Sequence, residues 1–211
     1  MLWVEDSEEE SMSDNNDLNT FTKNQLKYRA EFYNSNDFLT HVIDSIEKIA
    51  SVISASLLDG GKLMFCGNGG SAAESQHMAA EYCATLDHNK PREGYRAIAL
   101  TTDTSFMSAW SNDFGFGGIF ERQISVLGEE GDILVCYSTS GNSENILRAA
   151  KLASSKNIDV IAFTGGNGGK LLPLANISFR SPSKETPVIQ EHHTVVGHLI
   201  CSCVEKIMEK N

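Results

Sequence analysis

Residues 62–86 read KLMFCGNGGSAAESQHMAAEYCATL, and their reading decides the fold. Lys62–Cys66 is a short, nearly continuous apolar run, as expected of a strand covered on both faces. It passes directly into Gly67-Asn68-Gly69-Gly70-Ser71 and then into a stretch, Ser71–Leu86, long enough for a helix. Outward from this unit, Tyr95–Leu100, Ile133–Tyr137, Asp159–Phe163 and Asn176–Phe179 repeat the short apolar pattern, giving five strands. Asn142–Ser155 and Val188–Lys210 are further helical stretches. Toward the N-terminus the pattern is helical from about Phe21, and clearest at Leu39, Val42, Ile43, Ile46, Ile49, Ala50, Ile53 and Leu57. Those residues form one apolar stripe, and Gly60-Gly61 supplies its stop. The layout predicts a doubly wound α/β domain with a mostly parallel sheet, whose ligands bind at the carboxyl ends of the strands.

The 211 residues fit one domain, and 41% hydrophobic with 21% charged residues fits a folded chain rather than a disordered one. No apolar run approaches the ~18 residues of a membrane span. The start, MLWVEDSEEE, lacks the basic and apolar regions of a signal peptide, so a cytoplasmic location is expected. Cys66, Cys83, Cys136, Cys201 and Cys203 form an odd set without a C-x-x-C pair, and read as reduced thiols. Residues 1–18 hold seven acids and no base, and leave only −4 of the net −11 on the remainder. They are expected to be an acidic, disordered tail before a single domain over 19–211. A chain without basic excess is a poor match for nucleic acid or an anionic membrane, and neither partner is expected.

Two loops suit a small anion. In Cys66-Gly-Asn-Gly-Gly-Ser71, three glycines allow close backbone approach, and the following helix points free N–H groups at a ligand. A tight turn with no ligand is an equal alternative for one such loop. In Ser138-Thr139-Ser140-Gly141-Asn142-Ser143, four hydroxyls precede another helix. One serine suffices as a cap, so the others favour binding of a dianion by neutral donors. Thr164-Gly-Gly-Asn-Gly-Gly-Lys170 fails as a Walker A motif, because Thr164 and Leu171 stand where Gly and Ser/Thr are required; it reads as a structural turn. Gly67–Ala72 also matches G-x-G-x-x-A, and Asp103 can imitate a ribose-binding acid, which keeps a nucleotide-binding alternative open.

His77 and Glu81, four residues apart, share one helix face. Gln190 and His198 can point to one broad side of the last helix, two turns apart, whereas the adjacent His192 and His193 diverge. If the helices converge, His77, Glu81, Gln190 and His198 make an N/O set for a divalent ion such as zinc. A salt bridge and a core histidine are the plainer alternatives. A carboxylate and a histidine beside a phosphate site suit proton abstraction α to a carbonyl, hence aldose–ketose isomerisation. Asn112 and Asp113, in a polar break, can orient sugar hydroxyls or simply form a turn or cap.

Taken together, Cys66-Gly-Asn-Gly-Gly-Ser-Ala-Ala with His77 and Glu81, Asn112-Asp-Phe-Gly-Phe, Ser138-Thr-Ser-Gly-Asn-Ser and Gln190-Glu with His198 resemble the sugar isomerase (SIS) domain family over roughly residues 20–211. The resemblance implies a three-layer αβα, flavodoxin-like domain with N-terminal helices, assembled as a homotetramer with active sites between subunits. It implies conversion of D-sedoheptulose 7-phosphate into D-glycero-D-manno-heptose 7-phosphate, the first step toward bacterial heptose and lipopolysaccharide. Asn68, Gly69, Gly70, Ser71, Asn112, Asp113 and Gln190 would contact the sugar, and Ser138, Thr139, Ser140 and Ser143 the phosphate. One zinc ion per subunit would sit on His77, Glu81, Gln190 and His198. Glu81 and His198 would exchange the C1 and C2 protons through an enediol. A carboxylate committed to zinc is a weaker base, so Glu81 is expected to shift between ligand and base, or the metal to be partly occupied.

Thr85 and Pro187 stand where many members carry Arg and Asp, which leaves the exact sugar open, with Arg92 and Arg96 as nearby substitutes. SIS domains also occur as sugar-phosphate sensors and binding modules, including a tetrameric partner of the bacterial replication initiator. The presence of both Glu81 and His198 favours catalysis.

Overall fold

The computed structural model describes residues 6–210. The chain divides into two units, Met1–His41 and Val42–Asn211. In the first, α1 (Asp6–Asn34) carries an edge-on pair of rings, Tyr28 and Phe32, 5.0 Å apart. Of the expected acidic tail over residues 1–18, the first five residues lie outside the described residues and the rest belong to α1. Helix α2 (Asn36–Leu58) follows.

The second unit is an αβα sandwich. Its strands are β1 (Leu63–Gly67), β2 (Ala97–Ala99), β3 (Ile133–Ser138), β4 (Asp159–Gly165) and β5 (Ile177–Ser181). Its remaining helices are α3 (Gly70–Cys83), α4 (Thr104–Phe114), α5 (Ile119–Leu127), α6 (Glu144–Ser155) and α7 (Thr186–Met208). All pairings are parallel, in the order β2-β1-β3-β4-β5. That is the flavodoxin-like order, so the expected fold is borne out.

Alternation along the strands explains the layers, because successive side chains point to opposite faces. Met64, Cys66, Leu134, Cys136, Val160 and Ala162 form one core with Ile119, Phe120 and Ile124 of α5 and Ile146, Ala149 and Ala153 of α6. On the other face Phe65, Val135, Tyr137 and Phe163 meet Ile49 and Ile53 of α2, Met78 and Tyr82 of α3, and Gly197 and Ile200 of α7. The central strands are buried throughout, which is why their sequences read as unbroken apolar runs. All five cysteines are free. Among the described residues no helix is long and apolar enough to cross a membrane.

Candidate active site

β1 lies between β2 and β3, so the chain leaves β1 and β3 toward opposite layers. The loops after these strands open the crevice where doubly wound folds bind ligands. Gly67 is dictated by packing, since a Cβ there would stand 2.3 Å from the Ser71 carbonyl oxygen. Gly69 takes a φ of 56° and precedes α3 without a side-chain cap. Ser143 likewise precedes α6 without a side-chain cap, so the serine-cap alternative does not occur. The Ser71, Ala72 and Ala73 N–H groups bond to the Asn68 and Gly69 carbonyls, yet both helices still bring their positive ends to one crevice, a setting that favours an anion.

The hydroxyls of the second loop are arranged for donation. Ser138 Oγ accepts from the Gly141 N–H at 3.2 Å, and Ser140 Oγ accepts from the Asn142 N–H at 3.2 Å. Each keeps its own O–H for a ligand. The two loops are tied by Asn68 and Asn145, whose amides exchange two hydrogen bonds of 2.9 Å. Asn145 is buried, and its Oδ1 also accepts from the Ile146 N–H. The sequence held no local signal for this pair, because its members are 77 residues apart.

The Thr164–Lys170 loop is the structural turn its sequence predicts. Its glycines pack against the hydroxyl loop: a Cβ on Gly141 would stand 2.0 Å from the Gly168 oxygen, and one on Gly169 2.4 Å from the Ser140 oxygen. Gly165 N–H donates to the Thr139 carbonyl (3.1 Å), and Lys170 N–H to Asn142 Oδ1 (3.1 Å). The nucleotide alternative loses its acid, because the Asp103 carboxylate accepts from the Phe106 N–H and caps α4.

Helices α3 and α7 do converge. His77 Nε2 and His198 Nε2 are 2.7 Å apart with their rings edge to face, and His77 Nδ1 is 3.7 Å from Glu81 Oε1. One imidazole must donate and the other accept at that separation, a tautomer choice that a metal would remove. The ligand atoms of His77, Glu81 and His198 all lie within 4.8 Å of one another, and the three form a group able to hold a metal ion. Two imidazoles and a carboxylate suit zinc or a similar divalent cation.

Gln190 stands two turns earlier on α7, about 12 Å of helix rise from His198. A Cβ on Gly70 would come 2.6 Å from its Nε2, so only glycine lets the two helix starts meet. A cavity of about 330 Å³ opens here, lined by Gly70, Ser71, Glu74, Pro187, Gln190 and Thr194 among others. Thr194 Oγ1 donates to Glu74 Oε2 at 2.6 Å, bracing α7 on α3 one turn before the histidines. Gly197 lets the helices close further, with Met78 Sδ 3.0 Å from where its Cβ would be. Glu74 and Thr194 went unread in the sequence, since neither belongs to a motif.

Neither His192 nor His193 joins His198. His192 Nδ1 pairs with Ser181 Oγ at 2.8 Å, and His193 Nε2 lies 3.2 Å from the Thr164 carbonyl oxygen, among Tyr137, Phe163 and Phe179. Burial pushes the His193 imidazole down to about 4; His192 adds to this and the Thr164 bond opposes it.

Asn112 and Asp113 lie in the last turns of α4, exposed and hydrogen-bonded to each other at 2.8 Å. They are helical rather than in a turn, and no hydrogen bond links them to His77, Glu81 or His198. Thr85 donates to nearby carbonyls of Asp87 and Lys90, and Pro187 occupies the first turn of α7. Arg92 is not free to replace the missing arginine, because all three of its nitrogens are engaged within the domain. Arg96 donates to the Gly60 carbonyl.

Residues 27–165 match the family described as SIS domain. The chain is 50% identical over 161 residues to a phosphoheptose isomerase of Rhodospirillum rubrum, covering 76% of this chain and 85% of that protein. It is 44% identical over 164 residues to the phosphoheptose isomerase of Burkholderia pseudomallei strain K96243, covering 78% and 82%. Its fold superposes on the structure of phosphoheptose isomerase GmhA from Neisseria gonorrhoeae with a TM-score of 0.82 at 34% identity, over 90% of this chain and 99% of that one. This chain belongs to the SIS domain family, in the company of its phosphoheptose isomerases.

Proposed function

We propose that the protein is an aldose–ketose isomerase that converts D-sedoheptulose 7-phosphate into D-glycero-D-manno-heptose 7-phosphate, in the cytoplasm, as a step of bacterial heptose biosynthesis. The observation that carries this reading is the meeting of His77, Glu81 and His198, two turns along α3 from the glycine loop. The family relatives support the sugar phosphate as substrate class.

Ser138, Thr139, Ser140 and Ser143, with the first N–H groups of α6, hold the phosphate as neutral donors at the positive end of a helix. Asn68, Gly69, Gly70, Ser71 and Gln190 line the path of the sugar chain. Glu81 and His198 carry the chemistry. One takes the proton from C1 while the other protonates the C2 carbonyl oxygen, and the C1–H electrons become the double bond of the enediol. Return of a proton to C2 and loss of the one on the C1 oxygen then leave the aldehyde. Zinc, held by His77, Glu81 and His198, would supply polarisation of the sugar's oxygens, while Gln190, its amide against Gly70, is left to the sugar.

Asn112 and Asp113 reach sugar hydroxyls from a neighbouring copy, in a homotetramer with sites between subunits. Their exposure, and the lack of any hydrogen bond from them to His77, Glu81 or His198, support that placement. Sedimentation equilibrium checks the assembly, and a monomer with full turnover would remove the shared site.

The deciding experiment follows purified protein with sedoheptulose 7-phosphate in D₂O by NMR, with and without chelator. Solvent deuterium is expected at C2 of the product. Glu81→Gln should abolish turnover and leave phosphate binding nearly unchanged, whereas continued turnover overturns the assignment of the base. Activity confined to another ketose phosphate would overturn the choice of sugar and keep the chemistry.

A further inference from the structure

Helix α3 ends at Cys83, two residues after Glu81, without a glycine cap and without a basic residue in its last turn. Its terminal residue Ala84 has φ −92° and ψ −102°, a conformation that continues neither helix nor strand. Helix ends of this kind leave carbonyl groups without partners and fray first. Here one side chain from beyond the following turn reaches three of them, and the Tyr95 N–H also donates to the Tyr82 carbonyl oxygen at 2.9 Å. Arg92 Nη2 donates to the Glu81 carbonyl oxygen at 3.0 Å, and Nη1 donates to those of Tyr82 (3.0 Å) and Ala84 (3.3 Å). Its Nε donates to Glu205 Oε1 at 2.7 Å, and the same oxygen accepts from the Leu86 N–H at 3.2 Å. The guanidinium lies 3.8 Å over the Tyr95 ring, and both partners of the ion pair are largely buried, at 15% and 16% side-chain exposure.

Glu205 stands seven residues after His198 on α7, two turns further along the same face. The chain of contacts from Glu205 through Arg92 to the Glu81 main chain therefore ties the last turn of α3 to the helix that carries His198. On the other side of the histidines the Thr194–Glu74 bond holds the same two helices. We propose that Arg92, anchored by Glu205, is the positioning residue that holds Glu81 in reach of the atoms it deprotonates. This rests on the reading of Glu81 as base. Arg92 does not touch the sugar phosphate: its donors face carbonyl groups and a carboxylate. A guanidinium is required, because a lysine ammonium cannot span three carbonyls and a carboxylate from one planar fork.

The test compares the wild-type chain with Arg92→Ala, Arg92→Lys, Glu205→Gln and Glu81→Gln, assayed with sedoheptulose 7-phosphate well below each unfolding midpoint. Displacing a catalytic group by about an ångström costs on the order of 100-fold. Arg92→Ala and Arg92→Lys should lower kcat by roughly 10- to 100-fold with KM within about twofold, and Glu205→Gln should do so more weakly. Millimolar guanidinium should restore part of the kcat of Arg92→Ala and leave Arg92→Lys unchanged. Amide hydrogen exchange should quicken over residues 80–86 and stay as in wild type over 71–75. If Arg92→Ala does not fold, Arg92→Lys and Glu205→Gln decide by the same readings. An unchanged kcat beside an inactive Glu81→Gln overturns the positioning role and leaves the proposed reaction standing. So does a rise in KM alone, or a fall in kcat without the exchange change. An active Glu81→Gln overturns the reading beneath it.

Discussion

Two glycine-rich turns leave neighbouring parts of the same sheet and end in different roles. Gly67-Asn-Gly-Gly-Ser71 follows β1, and Thr164-Gly-Gly-Asn-Gly-Gly-Lys170 begins at the end of β4. The first runs at once into a 14-residue helix that starts without a side-chain cap, so the positive end of that helix faces the crevice at the switch of strand order. The second leads into a short 3₁₀ turn at Leu172–Leu174, and its N–H and C=O groups are bonded to the hydroxyl loop beside it. Glycine content therefore does not mark a ligand loop. What the backbone groups face after the turn does.

The largest test of that contrast is Gly67→Ala. Its methyl would meet the main chain of Ser71, which cannot yield as a side chain can. A stability loss of about 3 kcal/mol is expected, with loss of turnover, because the start of α3 must shift. Thermal unfolding and the isomerase assay check it; a stable, active variant would show that the tight approach is not needed.

The second turn is held from the core side by His193 at Thr164, and this makes its support sensitive to acid. The imidazole is pushed down to about 4 from the ordinary 6.5, so the fold favours its neutral form. That contribution is complete above pH 6.5 and shrinks as the pH falls toward 4, amounting to a loss of roughly 2 kcal/mol by pH 5. Urea midpoints at pH 7 and pH 5 measure it. His193→Phe should show a shallower change between them, and an equal change would place the acid sensitivity elsewhere.

How these roles were visible in the sequence differs from residue to residue. The five strands and helices α3, α6 and α7 were legible because burial on both faces or one face imposes apolar runs or stripes. Helix α4 escaped although Phe106, Trp110 and Phe114 recur at helical spacing, since the stripe is short and none of its residues is fully buried; Asn112 and Asp113 consequently read as a turn or cap. His77, Glu81 and His198 could be named from residue type and helical spacing. Asn68 with Asn145, Glu74 with Thr194, and Arg92 with Glu205 could not, because each pair joins residues 77 to 120 apart whose meeting only the tertiary fold creates.

Ser140→Ala asks whether the buttressed hydroxyls bind at all. The hydroxyl accepts one loop N–H and has a proton left to give to a phosphate. Losing a hydrogen bond to a charged group costs about 1.5 kcal/mol or more, so KM should rise about tenfold with little change in kcat. An unchanged affinity would separate the serine from the phosphate.

The smallest and sharpest comparison is Gly69→Ala against Gly166→Ala. Both glycines hold a positive φ, 56° and 53°, and an added Cβ meets nothing within 4 Å at either; at Gly69 the ψ of −122° lies outside the left-handed helical region. Alanine is strained at both positions by about 1 kcal/mol or more, so each variant's affinity is read beside its own unfolding midpoint. The methyl on residue 166 points into open space on the supporting turn and should leave substrate affinity alone. The methyl on residue 69 stands at the start of α3, where a bound sugar phosphate would lie against the backbone, and should weaken binding beyond what strain explains. Matched losses of affinity in the two variants would erase the distinction between the turns, since only residue 69 stands at a helix start that opens on the crevice.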